Sequence, residues 1–142
     1  MTSSARRVVL VILAVLAAYV GAWAVSAPAN WYVSFPGGGH HWLPMLGPYN
    51  EHLARDVGGL YLALAVVTVG AALRPADSFL VRLTGLAWLV FSVPHLIYHL
   101  GHLSHYAMAD KVANAVGLSV VLVLALVLLL PVRVRHGVTV AR

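Results

Sequence analysis

Long apolar runs alternate with polar connections along the chain. Four segments are almost entirely apolar, at about residues 8–25, 57–73, 80–100 and 112–130. Each is close to the roughly 20 residues of α-helix that cross about 30 Å of hydrocarbon. The pattern predicts an all-α fold with one domain, residues 1–142, that contains four transmembrane helices. We number these helices segments one to four.

The lengths of the connections predict how the segments pack. Segments two and three are joined by the turn RPADS, in which Asp77 or Ser78 can cap the next helix. Segments three and four are joined by the few residues from His105 to Asp110. Because short links favour antiparallel neighbours, we expect an up-and-down four-helix bundle with segment one beside the other three.

The connection between segments one and two, residues 27–50, is much longer than the others. It is rich in aromatic residues, Gly and Pro, and Gly37–Gly39 allow sharp backbone turns. One interpretation is an anchor of aromatic side chains at the membrane interface. The other is an ordered lid that carries His40 and His41 over the outer end of the bundle.

Composition and charge support an integral membrane protein. The chain is 61% hydrophobic and only 9% charged, whereas soluble domains are about a quarter charged. Its general character resembles that of small bacterial membrane proteins. This resemblance implies a multi-pass protein of the cell membrane, which is the inner membrane of a bacterium. The net charge of +5 does not indicate nucleic-acid binding, because the basic residues are scattered at the ends of apolar runs.

The basic residues are distributed unequally between the two sides of the predicted bundle. Arg55 and Lys111 fall on one side, and the other side receives Arg6, Arg7, Arg74, Arg82, Arg133, Arg135 and Arg142. Because cytoplasmic connections carry the excess of Lys and Arg, this asymmetry predicts that both termini are cytoplasmic. Every histidine except His136 then lies toward the outside.

The absence of cysteine limits the possible chemistry. A chain without cysteine has no disulfide, no thiolate metal site, no iron–sulfur cluster and no cysteine nucleophile. Any metal must therefore be bound through nitrogen, oxygen or thioether ligands.

The stretch PHLIYHLGHLSHY, residues 94–106, carries four of the eight histidines at the end of segment three. On a helix, His95, His99 and His102 have i, i+4, i+7 spacing and project from one face. Ionisable residues inside a membrane are costly, so such a stripe is expected to face the interior of the bundle.

The depth of the polar residues predicts which of them meet. With a rise of about 1.5 Å per residue, His99 lies about 26 Å from Arg82, Asp56 about 27 Å from Arg74 and Asn114 about 28 Å from Arg133. A second level, about 30–34 Å from the same arginines, contains His102, His52 and Asp110. We therefore expect one polar site formed by segments two, three and four.

This set of side chains suits a divalent transition metal. Imidazole and carboxylate groups bind zinc, iron or copper, which the sequence does not distinguish. The predicted ligands are His52, Asp56, His95, His99 and His102. Asp110 and Asn114 are predicted to orient the imidazoles by hydrogen bonds.

The sequence leaves open whether such a site catalyses a reaction on a lipid or another amphiphile. In that case Glu51 or Asp56 is the candidate general base, and Arg55 the candidate contact for an anionic group. The alternative is that Asn50 caps a helix and Glu51 pairs with Arg55 at i, i+4, without any catalytic role.

Three further interpretations of the histidine cluster stay open. His95 or His99 is a candidate axial ligand of haem b in an electron-transfer bundle. A second interpretation is that the polar groups act only as structural hydrogen-bonding partners. A third is a non-enzymatic accessory subunit of a membrane complex, or a homo-oligomer.

Overall fold

The computed structural model describes residues 1–131. Five α-helices lie in this part of the chain: α1 (Ser3–Ser26), α2 (Pro28–Ser34), α3 (Glu51–Leu73), α4 (Ser78–Gly101) and α5 (Met108–Leu128). Four of them, all except α2, are long and apolar enough to cross a membrane. These four correspond to segments one to four. Arg133, Arg135, His136 and Arg142 lie outside the described residues.

Polar caps extend two of the helices beyond their apolar runs. The Asn50 side chain accepts a hydrogen bond from the backbone amide of Leu53, so α3 begins at Glu51 rather than near residue 57. Asp77 caps α4 by accepting from the amides of Phe79 and Leu80. The first turns of α3 are therefore polar and helical.

The most extensive packing joins α1 and α3, the two helices separated by the longest connection. The connection lengths predict that segment one merely lies beside the other three, but α1 forms a close pair with α3. Each helix presents a buried stripe at heptad-like spacing: Arg6, Leu10, Leu13, Ala17, Val20 and Ala24 on α1, and Ala54, Gly58, Ala65, Thr68 and Ala72 on α3. Small residues dominate the stripe on α3.

Gly21 and Gly58 bring the two backbones into contact. A Cβ atom added to Gly58 would lie 2.9 Å from the Val25 backbone nitrogen, and one added to Gly21 would lie 2.9 Å from the Gly58 carbonyl oxygen. Gly59, by contrast, faces open space. The close approach of the α1 and α3 backbones therefore requires glycine at position 58 but not at position 59.

A second pair is formed by α4 and α5. Gly85 allows the approach here, since an added Cβ would lie 3.1 Å from the Ala125 carbonyl oxygen. The two pairs are joined by Trp88, which is fully buried and donates from Nε1 to the Thr68 hydroxyl over 2.9 Å. Packing between α3 and α4 is otherwise less extensive than within either pair.

Hydrogen bonds identify one end of the bundle, where α1 and α4 begin and α3 and α5 end. We call it the arginine end. Arg6 is fully buried there and donates to the Ser78 hydroxyl over 3.1 Å and to the Leu130 carbonyl over 3.0 Å. Arg7 donates to the Ala72 carbonyl over 3.3 Å. We call the opposite end, where α3 and α5 begin, the histidine end.

Gly58→Ala and Gly59→Ala test the contact between α1 and α3. Both substitutions gain the same helix propensity, up to about 1 kcal/mol. We expect Gly58→Ala to be less stable than Gly59→Ala by about 1–3 kcal/mol, because only the first overpacks the contact. Unfolding of the detergent-solubilised variants by sodium dodecyl sulfate measures the difference, and equal stability would contradict the packing described here.

Candidate functional site

A polar stripe runs along the buried side of α4 toward the histidine end. It consists of Ser92, His95 and His99, of which Ser92 and His99 are buried. The His95 ring stacks on Phe91 with centroids 4.8 Å apart and meets the His99 ring at 4.5 Å and 66°. The helical spacing predicted this clustering of the two imidazoles.

Asn114 of α5 lies beside His99. It is fully buried, and its side chain is the polar neighbour of the His99 imidazole, although no hydrogen bond of ordinary geometry joins them. Among residues 1–131, neither polar atom of Asn114 has a hydrogen-bond partner, and neither does Nδ1 of His99. The Ser92 hydroxyl is also buried without such a partner in this part of the chain. Buried polar atoms without partners are rare and call for an explanation.

A cavity of about 200 Å³ opens next to this stripe, and we call it the interhelical cavity. Side chains from all four long helices and from the connection between α1 and α3 line it. Its walls include Leu16, Trp42, Tyr61, Ser92, His95 and Leu118. The unpartnered Ser92 hydroxyl, the His95 imidazole and the Tyr61 phenol are thus polar groups on the walls of a largely apolar and aromatic space.

The connection between α1 and α3 folds over this cavity. It contains α2 and a 3₁₀ turn, Leu43–Met45, and Gly37, Gly38 and Gly39 all have positive φ. Phe35, Pro36 and Trp42 of this connection contribute to the cavity wall.

Hydrogen bonds fasten the connection to α5. Asp110 accepts from Trp42 Nε1 over 2.9 Å and contacts Nδ1 of His40 at 2.6 Å. Tyr106 is buried and donates to the Trp42 carbonyl over 3.0 Å. His41 is exposed and its Nδ1 lies 2.6 Å from the Val33 carbonyl. Asp110, predicted to orient a histidine near the metal, instead contacts His40 of the connection.

His52 and Asp56 lie on the exposed side of α3. Their side chains are 85% and 54% exposed and pair with each other at 3.4 Å. Each is two residues from Ala54, whose buried side faces α1, so each projects about 200° around the helix from that contact. The structure therefore brings His95, His99 and Asn114 together but leaves His52 and Asp56 outside this group.

The other predicted residues of α3 stabilise its first turn. Glu51 accepts from Arg55 Nε over 2.9 Å, and Arg55 also donates to the Val25 carbonyl over 2.7 Å. This is the pairing that the i, i+4 spacing offered as an alternative. Catalytic roles for Glu51, Arg55 and Asp56 stay predictions.

His102 and His105 follow the buried stripe at the end of α4. His102 ends the helix; its ring stacks on Tyr98 at 4.1 Å, and its Nδ1 lies 2.7 Å from the Tyr98 carbonyl. The His105 ring lies 5.9 Å from that of His102 and is exposed. His102 is therefore adjacent to the buried cluster without being part of it.

The residues present offer two imidazoles and one amide to a metal. Within residues 1–131, no group of three or more His or acidic side chains is close enough to hold a metal ion. Two imidazoles that bind one ion with metal–nitrogen distances of about 2.1 Å have ring centroids about 5.3 Å apart at the tetrahedral angle and about 4.6 Å apart at a nitrogen–metal–nitrogen angle near 90°. The centroids of His95 and His99 are 4.5 Å apart, close to the smaller separation. The Asn114 oxygen is available as a third donor beside them.

The sequence did not place three residues of this region in the candidate site. Ser92 continues the stripe of His95 and His99 at i, i+3, i+7, so the periodicity contained the signal, although serine is common in apolar helices. Trp42 and Tyr106 carried no comparable signal, because their hydrogen bonds join parts of the chain that are 64 and 68 residues apart.

Comparison with known proteins returns no matching family model, no matching curated protein and no matching solved structure.

Tyr106→Phe tests the burial of the Tyr106 phenol, which donates to Trp42 from the segment that precedes α5. Burial, followed by the nearby Tyr98 and the Asp110 carboxylate, raises the pKa of Tyr106 from the ordinary 10.0 to about 12. Between these two pH values the unfolded chain has lost a proton that the folded protein keeps, so the stabilisation by Tyr106 falls as pH rises through this window. We expect the ultraviolet difference titration between wild type and Tyr106→Phe to show a phenol with a midpoint near 12. A midpoint near 10 would contradict the buried environment.

Proposed function

We propose that this protein is an integral membrane protein with an up-and-down bundle of four transmembrane helices, both termini in the cytoplasm, and a transition-metal site in its outer half. The arginine end faces the cytoplasm in this proposal. Arg6, Arg7, Arg74 and Arg82 lie at or near that end, against Arg55 and Lys111 at the histidine end. Four basic residues against two favour this orientation.

The metal site consists of His95, His99 and the side-chain oxygen of Asn114. The observation that supports it is the set of unpartnered polar atoms in the His99 and Asn114 side chains, beside a second imidazole at 4.5 Å. Leaving such atoms buried without a partner costs about 1–3 kcal/mol each, and a bound ion would provide the partner for Nδ1 of His99 and Oδ1 of Asn114. The amide nitrogen of Asn114 is a donor and is not explained by a metal. Imidazole nitrogen favours zinc, copper, iron or nickel.

His52 and Asp56 are the alternative donors that the depth levels predict. Their exposed positions on α3 make them less suitable than Asn114, which is buried against His99. Measuring the metal content of variants in each of the two ligand sets therefore tests which set binds the ion.

The orientation is tested by labelling single cysteines, since the chain has none of its own. Ala76 lies in the connection between α3 and α4 at the arginine end, and Ser104 in the connection between α4 and α5 at the histidine end; both are exposed. We expect a membrane-impermeant maleimide to label Ser104→Cys in intact cells and Ala76→Cys only after permeabilisation. The opposite result would reverse the orientation.

The metal is tested by elemental analysis of protein purified without a histidine tag. We expect about one zinc, copper, iron or nickel ion per chain in the wild type, and its loss in His95→Leu, His99→Leu and Asn114→Leu, since each variant lacks one donor. His105→Ala removes an exposed histidine and serves as the matched control.

Three outcomes would contradict this assignment. A wild type without metal excludes the metal site. If metal is lost in His52→Ala or Asp56→Ala but not in Asn114→Leu, the exposed pair His52 and Asp56 belongs to the site instead. A Soret absorption band in the same preparation would identify haem b, with His95 or His99 as its ligand.

A further inference from the structure

An apolar groove of about 410 Å³ lies between α3 and α4 on the outside of the bundle. It is lined only by apolar and aromatic residues, among them Leu60, Ala63 and Phe91. Leu60 is 72% exposed, and α3 packs less extensively against α4 than against α1. In a membrane this groove faces the hydrocarbon of the lipid, at the place where the two helix pairs meet.

The groove and the interhelical cavity share two wall residues, Tyr61 and Phe91. The two rings meet edge to face with centroids 5.1 Å apart. This pair is therefore a thin partition between the lipid side of the bundle and the space that contains Ser92 and His95. Both side chains are partly buried and pack against the core of the bundle, so a change of their rotamers would join the two spaces.

The chemistry of the cavity limits what it can take. Its volume of about 200 Å³ exceeds the roughly 150 Å³ of an apolar cavity that binds benzene, so it has room for a head group of a few heavy atoms. No Lys, Arg, Asp or Glu within residues 1–131 lines it, so a charged phosphate would be buried without a partner. The Ser92 hydroxyl, only 4% exposed and unpartnered in this part of the chain, offers a hydrogen bond to a neutral group.

We infer that the protein binds a single-chain amphiphile with a neutral hydroxyl or carbonyl head group, which reaches the cavity sideways from the lipid. The head group occupies the cavity and hydrogen-bonds to Ser92, and the hydrocarbon tail passes between Tyr61 and Phe91 into the groove. This inference requires that α3 and α4 lie in a membrane. It does not require a metal at His95, His99 and Asn114.

The test uses hexadecanol that carries a diazirine in its chain, added to the full-length protein in vesicles of phosphatidylethanolamine and phosphatidylglycerol. After irradiation, we expect saturable labelling that maps by mass spectrometry to peptides containing Tyr61 and Phe91. Unlabelled hexadecanol should compete, whereas hexadecane, which has the tail without the hydroxyl group, should compete only weakly.

Three variants separate the head-group site from the groove. Ser92→Ala should weaken competition by hexadecanol about three- to tenfold, the effect of one neutral hydrogen bond. Ala63→Phe fills the groove from its exposed side and should abolish labelling at Tyr61 and Phe91. Ala87→Phe makes the same change at an exposed position of α4 that does not line the groove, and should label like the wild type.

Each contrary result overturns a defined part of the inference. Equal labelling of all variants means nonspecific partitioning into the bilayer. A second contrary result is labelling that is lost in Ala63→Phe but unchanged in Ser92→Ala. If hexadecane or a diacyl phospholipid then competes as well as hexadecanol, the groove holds an ordinary lipid chain. Metal content measured on the same samples distinguishes the two proposals. Wild type that binds metal but shows no saturable labelling overturns only the amphiphile site. Wild type with saturable labelling but no metal overturns only the metal site.

Discussion

The close contact of α1 with α3 determines how the remaining elements are arranged. Gly21 and Gly58 allow the two backbones to touch, and this contact sets the rotation of α3 about its own axis. Without a hydrophobic driving force between helices in lipid, such small-residue contacts and interhelical hydrogen bonds are the main sources of association. The hydrogen bond from Trp88 to Thr68 then attaches the α4 and α5 pair to this first pair.

The two ends of the bundle differ in how many of their buried polar atoms have hydrogen-bond partners. At the arginine end, the buried Arg6 has acceptors at the start of α4 and just after the end of α5, so a charge that also favours a cytoplasmic position joins the ends of three helices. Toward the histidine end, His99, Asn114 and Ser92 are buried with polar atoms that lack partners within residues 1–131. Nε of Arg6 also lacks a partner in this part of the chain, but both terminal nitrogens of its guanidinium are satisfied. The concentration of unpartnered atoms on three neighbouring side chains favours ligand binding toward the histidine end.

The candidate metal site and the interhelical cavity are adjacent but chemically distinct. His95 belongs to both, since it contacts His99 on one side and lines the cavity on the other. Asp110 and Tyr106 hold Trp42 over the same cavity, which closes it toward the histidine end. In the proposed binding mode, access is therefore through Tyr61 and Phe91, which line both the cavity and the groove.

The sequence by itself determined the four long helices, the cap at Asn50, a cap at Asp77 or Ser78, and the stripe of His95 and His99. These features depend on local chemistry or on the helical repeat, which fixes spacing along one helix. The depth levels also brought Asn114 to the height of His99. Only the tertiary structure decided which faces meet: the small residues of α3 turn Ala54 and Gly58 toward α1, and His52 and Asp56 consequently project away from the histidines. Rise per residue gives height from sequence alone, but the rotation of a helix about its axis depends on side chains of other helices, and no local pattern contains that information.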